Sequence, residues 1–147
     1  MIDKSQGYAI IMSIDKQLCL LRSLERQMSI LNLTQHVATA EQVAAGVVEP
    51  TDKAAVQALL TFEELPTSDQ VWAAANAITE IAVKSGASAV MIGGAPFFMG
   101  PLELSLTARG IRPLYAFSKR EAADVPQSDG SVRKTQVFRH VGFVEVV

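Results

Sequence analysis

Ser118, Lys119 and Arg120 set a hydroxyl and two cations directly behind the apolar run Leu114–Phe117. An Asp129-Gly130 turn follows, and then a second segment, Val137-Phe-Arg-His-Val-Gly-Phe143. Arginine offers a planar fork of N–H donors and lysine a point charge, so a fixed pair at a strand end suits phosphate or carboxylate. Two further groups of polar or glycine-rich residues follow apolar runs. Asn32, Thr34, Gln35 and His36 end the first, and Gly93, Gly94, Ala95 and Pro96 end the second. Ligands of open α/β sheets bind beyond the carboxyl ends of parallel strands. Brought to one sheet edge, the three groups would supply backbone donors, hydroxyls, an amide, an imidazole and two cations. That is a site for an anion carrying a base or sugar.

Each piece also has a plainer reading. Glycines mark turns generally, so Gly93 and Gly94 also fit tight strand-to-helix packing. Phe97 and Phe98 suit stacking on a base, yet phenylalanine is most often core. Arg120 has Glu121 and Asp124 nearby as surface partners. His140 lies inside a strand and reads as structural with a satisfied hydrogen bond, whereas His36 at a strand end reads as a ligand contact or proton carrier. These are the only two histidines, and without a paired carboxylate motif they make a poor zinc site. G-x-G-x-x-G, G-x-x-x-x-G-K-[ST] and G-x-S-x-G are all missing. A dinucleotide cofactor, a phosphate-loop ATPase and a serine-hydrolase elbow therefore lack support, and no cofactor or metal is expected.

The elements that must position these groups are legible from periodicity and punctuation. Residues 29–33 read as a short buried strand. Thr39-Ala-Glu-Gln42 reads as a capping box opening a helix that stops near Gly46. Thr51-Asp52 starts a second helix through Leu60, and residues 62–65 are ambiguous before Pro66. Ser68 or Asp69 caps a long helix closed by Gly86. The continuous apolar run 88–92 suits a covered parallel strand. Pro101 to Arg109 reads as another helix, residues 112–117 as the next strand, and about 131–147 as an antiparallel edge strand. Strands alternating with helices predict an α/β fold: one Rossmann-like, mostly parallel sheet with helices on both faces and an antiparallel C-terminal edge strand.

The chain of 147 residues, 49% apolar, is long enough for one domain with a real core. Its net charge of −2 argues against duplex nucleic acid, which calls for a basic surplus. A small anion needs only a local positive site. No apolar run approaches the ~20 residues of a membrane span. The lone Cys19 permits no intramolecular disulfide, which fits a cytoplasmic protein. Residues 1–28 stand apart. Leu18, Leu20, Leu21 and Leu24 form a helix-like stripe, read either as a docking helix or as an N-terminal extension ahead of Met28 and the domain 29–147.

The blocks Ser118-Lys-Arg-Glu-Ala122, Asp129-Gly-Ser-Val132 and Phe138-Arg-His-Val141 resemble the tail of small accessory proteins of type III CRISPR systems. These are related to CRISPR-associated Rossmann fold (CARF) domains. His36 followed by Thr39-Ala-Glu-Gln42 resembles the end of their first strand. The resemblance covers roughly residues 29–147. It implies a homodimer that binds cyclic oligoadenylate, usually the tetra-adenylate. It also implies, for ring nucleases, metal-independent cleavage by attack of a ribose 2′-hydroxyl on the adjacent phosphorus. Under it, Ser118, Arg120 and His36 are the expected catalytic residues. Thr34, Gln35, Gly93, Gly94, Ala95, Pro96, Phe97 and Lys119 are the expected ligand contacts. Residues 97–99 are then the expected interface or pocket rim. A protein that sequesters the nucleotide without cleaving it, or an α/β protein that binds a protein partner, is the alternative. The turn 93–98 is more apolar than a strongly phosphate-lined pocket calls for.

Overall fold

The computed structural model describes residues 14–21 and 29–147. Residues 14–21 are helical (α1) and exposed throughout, Leu18, Leu20 and Leu21 included; Leu24 lies outside the described residues. The remaining elements are β1 (Ile30–Leu33), α2 (Ala40–Ala44), β2 (Val47–Val48), α3 (Lys53–Leu60), α4 (Ser68–Ser85), β3 (Ala89–Ile92), α5 (Pro96–Ala108), β4 (Arg112–Pro126) and β5 (Val132–Glu145).

They build one five-stranded sheet in the order β2-β1-β3-β4-β5. β2, β1, β3 and β4 run parallel, with Leu31 opposite Val90 and Met91 opposite Leu114. β5 returns antiparallel beside β4. The expected α/β architecture with an antiparallel edge strand is thus observed. The connection from β1 to β2 runs outward, and those from β2 to β3 and from β3 to β4 run the other way. Right-handed crossovers therefore put α2 on one face and α3, α4 and α5 on the other.

The core lies between the sheet and that second group of helices. Leu31, Leu33, Val90 and Ile92 meet Val56 and Leu60 of α3, Ala75, Ile78 and Ala82 of α4, and Phe98, Leu102 and Leu106 of α5. α4 and α5 approach closely over small residues, with Thr79 Oγ1 2.8 Å from Ser105 Oγ, which in turn donates to Asn76 Oδ1 at 2.8 Å. Local chemistry sets the helix ends. Thr39 with Gln42 and Thr67 with Gln70 each form a complete capping box. Gly86 closes α4 at φ 74°, where a side chain is disfavoured.

The structure adds one strand and changes three sequence expectations. β2, only two residues long, carries no readable pattern of its own. α4 is capped by Thr67, not by Ser68 or Asp69. α5 begins at Pro96, not Pro101. Pro96 fits the first turn, where no N–H is needed, and Pro101 sits inside the helix. The segment 97–99 is therefore helical, with Phe98 buried and Phe97 half-exposed against Phe62.

The largest change concerns β4. It does not stop at Phe117 but continues nine residues further, to Pro126. A bulge leaves Val141 as the extra residue between the pairs Phe117–Gly142 and Ser118–His140. Beyond it, residues 118–140 form a two-stranded arm whose side chains are exposed or only half-buried. Ser118, Lys119 and Arg120 are consequently mid-strand residues of the arm, not a strand end.

Candidate functional site at the carboxyl ends of the parallel strands

Strand order 2-1-3-4 reverses its winding between β1 and β3, and such a reversal opens a crevice at the carboxyl ends of those strands. A cavity of about 540 Å³ lies there. Its wall is the β1–α2 loop (Thr34, Gln35, His36, Val37), the start of α2 (Thr39, Gln42), the end of β3 with its turn (Met91 to Gly94), and Tyr115 and Ala116 of β4.

The loop is held from below by a buried amide. Asn32 is fully buried. Its Nδ2 donates to the His36 carbonyl at 2.8 Å and to the Glu49 carboxylate at 3.0 Å and 3.2 Å. Its Oδ1 accepts from the Thr34 N–H at 3.0 Å and the Thr34 hydroxyl at 2.7 Å. Glu49 also accepts from the Ala38 N–H at 2.7 Å and lies 3.4 Å from Lys53 Nζ. Lys53 donates to the Thr34 carbonyl at 2.6 Å. Partial burial pushes the Glu49 carboxyl up. The Ala38 N–H, the Asn32 amide and the Lys53 charge outweigh it, so Glu49 sits below the usual carboxylate range. Gln57 Nε2 donates to the Gln35 carbonyl at 2.8 Å, and Gln35 Nε2 lies 3.2 Å from Thr61 Oγ1. The loop backbone is thus tied to Asn32 of β1, to Glu49 just after β2, and to α3.

That leaves the exposed His36 imidazole, free amide capacity on Gln35 and Gln42, and the glycine turn. Gly94 has φ 155°, and a Cβ there would meet Met99 Cε at 3.4 Å. Gly93 needs no unusual conformation, and a Cβ on it would lie 3.6 Å from Thr34 Cγ2, inside the cavity wall. α5 starts directly after this turn with Ala95 as N-cap and no side-chain cap. Its dipole favours negative charge beside the cavity, although Pro96 brings no N–H and the Phe98 N–H already donates to the Ala95 carbonyl at 3.0 Å. Tyr115 donates its hydroxyl proton to Glu103. Burial, reinforced by that carboxylate, raises its phenol well above the ordinary range, so it stays protonated at neutral pH.

Of the sequence-derived site residues, Thr34, Gln35, His36, Gly93 and Gly94 converge on the cavity. Ala95, Pro96 and Phe97 do not line it; they form the cap and first turn of α5. Ser118, Lys119 and Arg120 do not line it either. At about 3.3 Å per residue, Arg120 stands roughly 13 Å along the arm from Ala116. Its guanidinium lies over the Phe138 ring, 5.3 Å from the centroid, and not on Glu121 or Asp124. Among the described residues, no Lys or Arg lines the cavity.

His140 departs from expectation as well. Its Nδ1 is buried without a hydrogen-bond partner among the described residues, and its ring packs 4.8 Å from that of Phe143. Its backbone N–H donates to Glu41 of α2 at 3.0 Å, and Arg139 lies 3.4 Å from the same carboxylate. Glu49 and Tyr115 are the functional-site residues that sequence reasoning missed, and Asn32, expected at the strand end as a site residue, instead holds the loop from beneath. An asparagine inside an apolar strand was the one available signal, because a buried amide demands partners. Among the described residues no cluster of His, Cys, Asp and Glu could hold a metal ion, and no helix is long and apolar enough to cross a membrane.

A family model described as the uncharacterized protein MJ1673 family matches residues 28–144. No curated protein and no solved structure matches the chain.

Proposed function

We propose, for a chain that belongs to the MJ1673 family, that the cavity at the winding reversal binds an adenine nucleotide of the cyclic oligoadenylate class. The observation that carries this reading is the convergence of Thr34, Gln35, His36, Gly93 and Gly94 on one 540 Å³ cavity beside an uncapped helix N-terminus. The volume lies within the range of about 300–1,000 Å³ typical of small-molecule sites. It takes one nucleotide unit of a ring. Amide and imidazole edges suit a base, and the positive end of the α5 dipole beside the cavity suits a phosphate. The adenylate assignment itself comes from the resemblance of the C-terminal blocks, and a cytoplasmic location goes with it.

Binding without turnover is the favoured form of the proposal. Ser118 and Arg120, two of the three expected catalytic residues, lie on the arm, and among the described residues the cavity wall supplies no cation to stabilise a transition state at phosphorus. Cleavage by 2′-hydroxyl attack is the second reading and is supported by His36, the one lining side chain suited to carry a proton. Calorimetric titration with cyclic tetra-adenylate tests the first reading. Saturable binding that His36→Ala or Gly93→Val weakens is expected, and the absence of binding overturns it. Thin-layer chromatography of the labelled ring after incubation separates the two. An intact ring supports the binder, and a product ending in a 2′,3′-cyclic phosphate that His36→Ala no longer makes supports the nuclease.

A further inference from the structure

The β4–β5 arm and the α4–α5 layer over the sheet carry complementary features that find no partner among the described residues. Beyond the bulge the arm runs for nine residue pairs, Ser118–His140 to Pro126–Val132, or about 30 Å at ~3.3 Å per residue. A two-stranded hairpin standing alone is marginal in water, and this one exposes apolar side chains. Phe138 is 64% exposed and Val132 60%. Both lie on the strand face that also carries Arg120 and Lys134, because residues two apart share a face. Arg120 already stacks on Phe138 there.

At the other location, Leu65, Pro66, Trp72, Phe97 and Pro101 line an apolar groove of about 510 Å³. Leu65 is 96% exposed, and Phe97 and Trp72 stay substantially open. Glu63, Glu64 and Asp69 stand next to these residues in the chain, are exposed, and pair with no cation among the described residues. The groove lies over the first turns of α4 and α5, and α5 starts from the carboxyl edge of the parallel strands, the edge beyond which the arm projects. The charge is divided the same way. Residues 118–140 carry five Lys/Arg against three Asp/Glu, a net +2, whereas residues 29–117 carry four against eight, a net −4.

We propose that the occupant of the groove is the arm of a second copy of this chain, with Phe138 as the anchor and Arg120 and Lys134 facing Glu63, Glu64 and Asp69. A two-fold pair exchanges arms reciprocally, each groove receiving the other's arm, so the contact closes on itself. An arm face roughly 30 Å long and about 10 Å wide presents ~300 Å². Two arms on two grooves then bury about 1,200 Å², the lower end of the range for stable interfaces. Phe138 supplies the buried aromatic that dominates such contacts, and the surrounding charges select the partner. The proposal goes beyond the nucleotide reading and does not depend on it. It moves self-association from the segment 97–99 alone, where Phe98 is core, to the arm and the groove that Phe97 lines.

Sedimentation equilibrium on the full chain tests it. The parent is expected at twice the chain mass of 15.8 kDa in the micromolar range. Phe138→Asp is expected to weaken association by at least about tenfold, with an unchanged circular dichroism spectrum. Arg120→Glu/Lys134→Glu on the arm and Glu63→Lys/Glu64→Lys at the groove should each give monomers. Mixing the two variants should restore a dimer, because each altered arm then meets an altered groove and each native arm a native one. A parent that is monomeric throughout, a dimer indifferent to both variants, or a mixture that stays monomeric overturns the proposal.

Discussion

Asn32 governs the candidate site although it contributes no atom to the cavity wall. Four groups of the loop and of Glu49 depend on it, so Asn32→Ala leaves several buried donors and acceptors unpaired. A loss of about 2–3 kcal/mol in chemical denaturation is expected, at the level of a buried polar network left unsatisfied. Glu49 gives the network its pH dependence. Its folded pKa lies below the unfolded value, so the stability it contributes is present above the unfolded pKa and is lost as pH falls through the folded one. Thermal denaturation should therefore show a fall in Tm on acidification through and below the ordinary glutamate range, and Glu49→Gln should flatten that limb. The two glycines separate in the same way. Gly94→Ala puts a side chain on a φ of 155°, a conformation L residues rarely adopt, and should cost roughly 1–2 kcal/mol of stability. Gly93→Ala should leave stability within about 0.5 kcal/mol and change only ligand affinity, because its new methyl projects into the cavity wall. Equal destabilisation by both would refute that division.

At the scale of elements, the helices begin where short-range hydrogen bonds dictate. Thr67 accepts from the Gln70 N–H at 3.2 Å while Gln70 Oε1 accepts from the Thr67 N–H at 3.0 Å. Thr67→Ala should cost about 1 kcal/mol, measurable by urea denaturation, whereas Ser68→Ala should cost little. β4 is different in kind. Its first residues are buried in the sheet, but the part after Phe117 persists through pairing with β5 alone, across the turn in which Gly130 takes φ 84° and Asp129 Oδ1 accepts from the Ser131 N–H at 2.9 Å. Arg112 grips Glu145 with two hydrogen bonds, at 2.8 Å and 2.7 Å, and so holds the far end of β5 against the sheet.

Over the whole molecule, the reversal of winding places the cavity, and the long arm decides which of the chemical groups stays away from it. α1 is exposed at every residue, so its described part contributes nothing to the core. Deleting residues 1–27 should leave Tm within about 2 °C of the parent, a shift well under 1 kcal/mol for a domain of this size. A larger fall in a thermal scan would mean that the Leu18–Leu21 surface packs on the domain.

The sequence by itself determined what depends on neighbours along the chain. The capping box at Thr39, the left-handed glycine at Gly86, the apolar run of β3 and the antiparallel return of the last segment all follow from residues within one or two turns of each other. So does half of the candidate site, because Thr34, Gln35, His36, Gly93 and Gly94 are polar or glycine residues immediately after apolar strands. Only the tertiary structure decided the rest. β2 exists because Val47 and Val48 find β1 beside them, and two residues have no periodicity to read. Asn32 and Glu49 meet across 17 positions, and Tyr115 of β4 meets Glu103 of α5 across 12. Ser118, Lys119 and Arg120 left the site for the same reason. A strand ends where its pairing ends, and β5 carries the pairing of β4 past the edge of the parallel sheet.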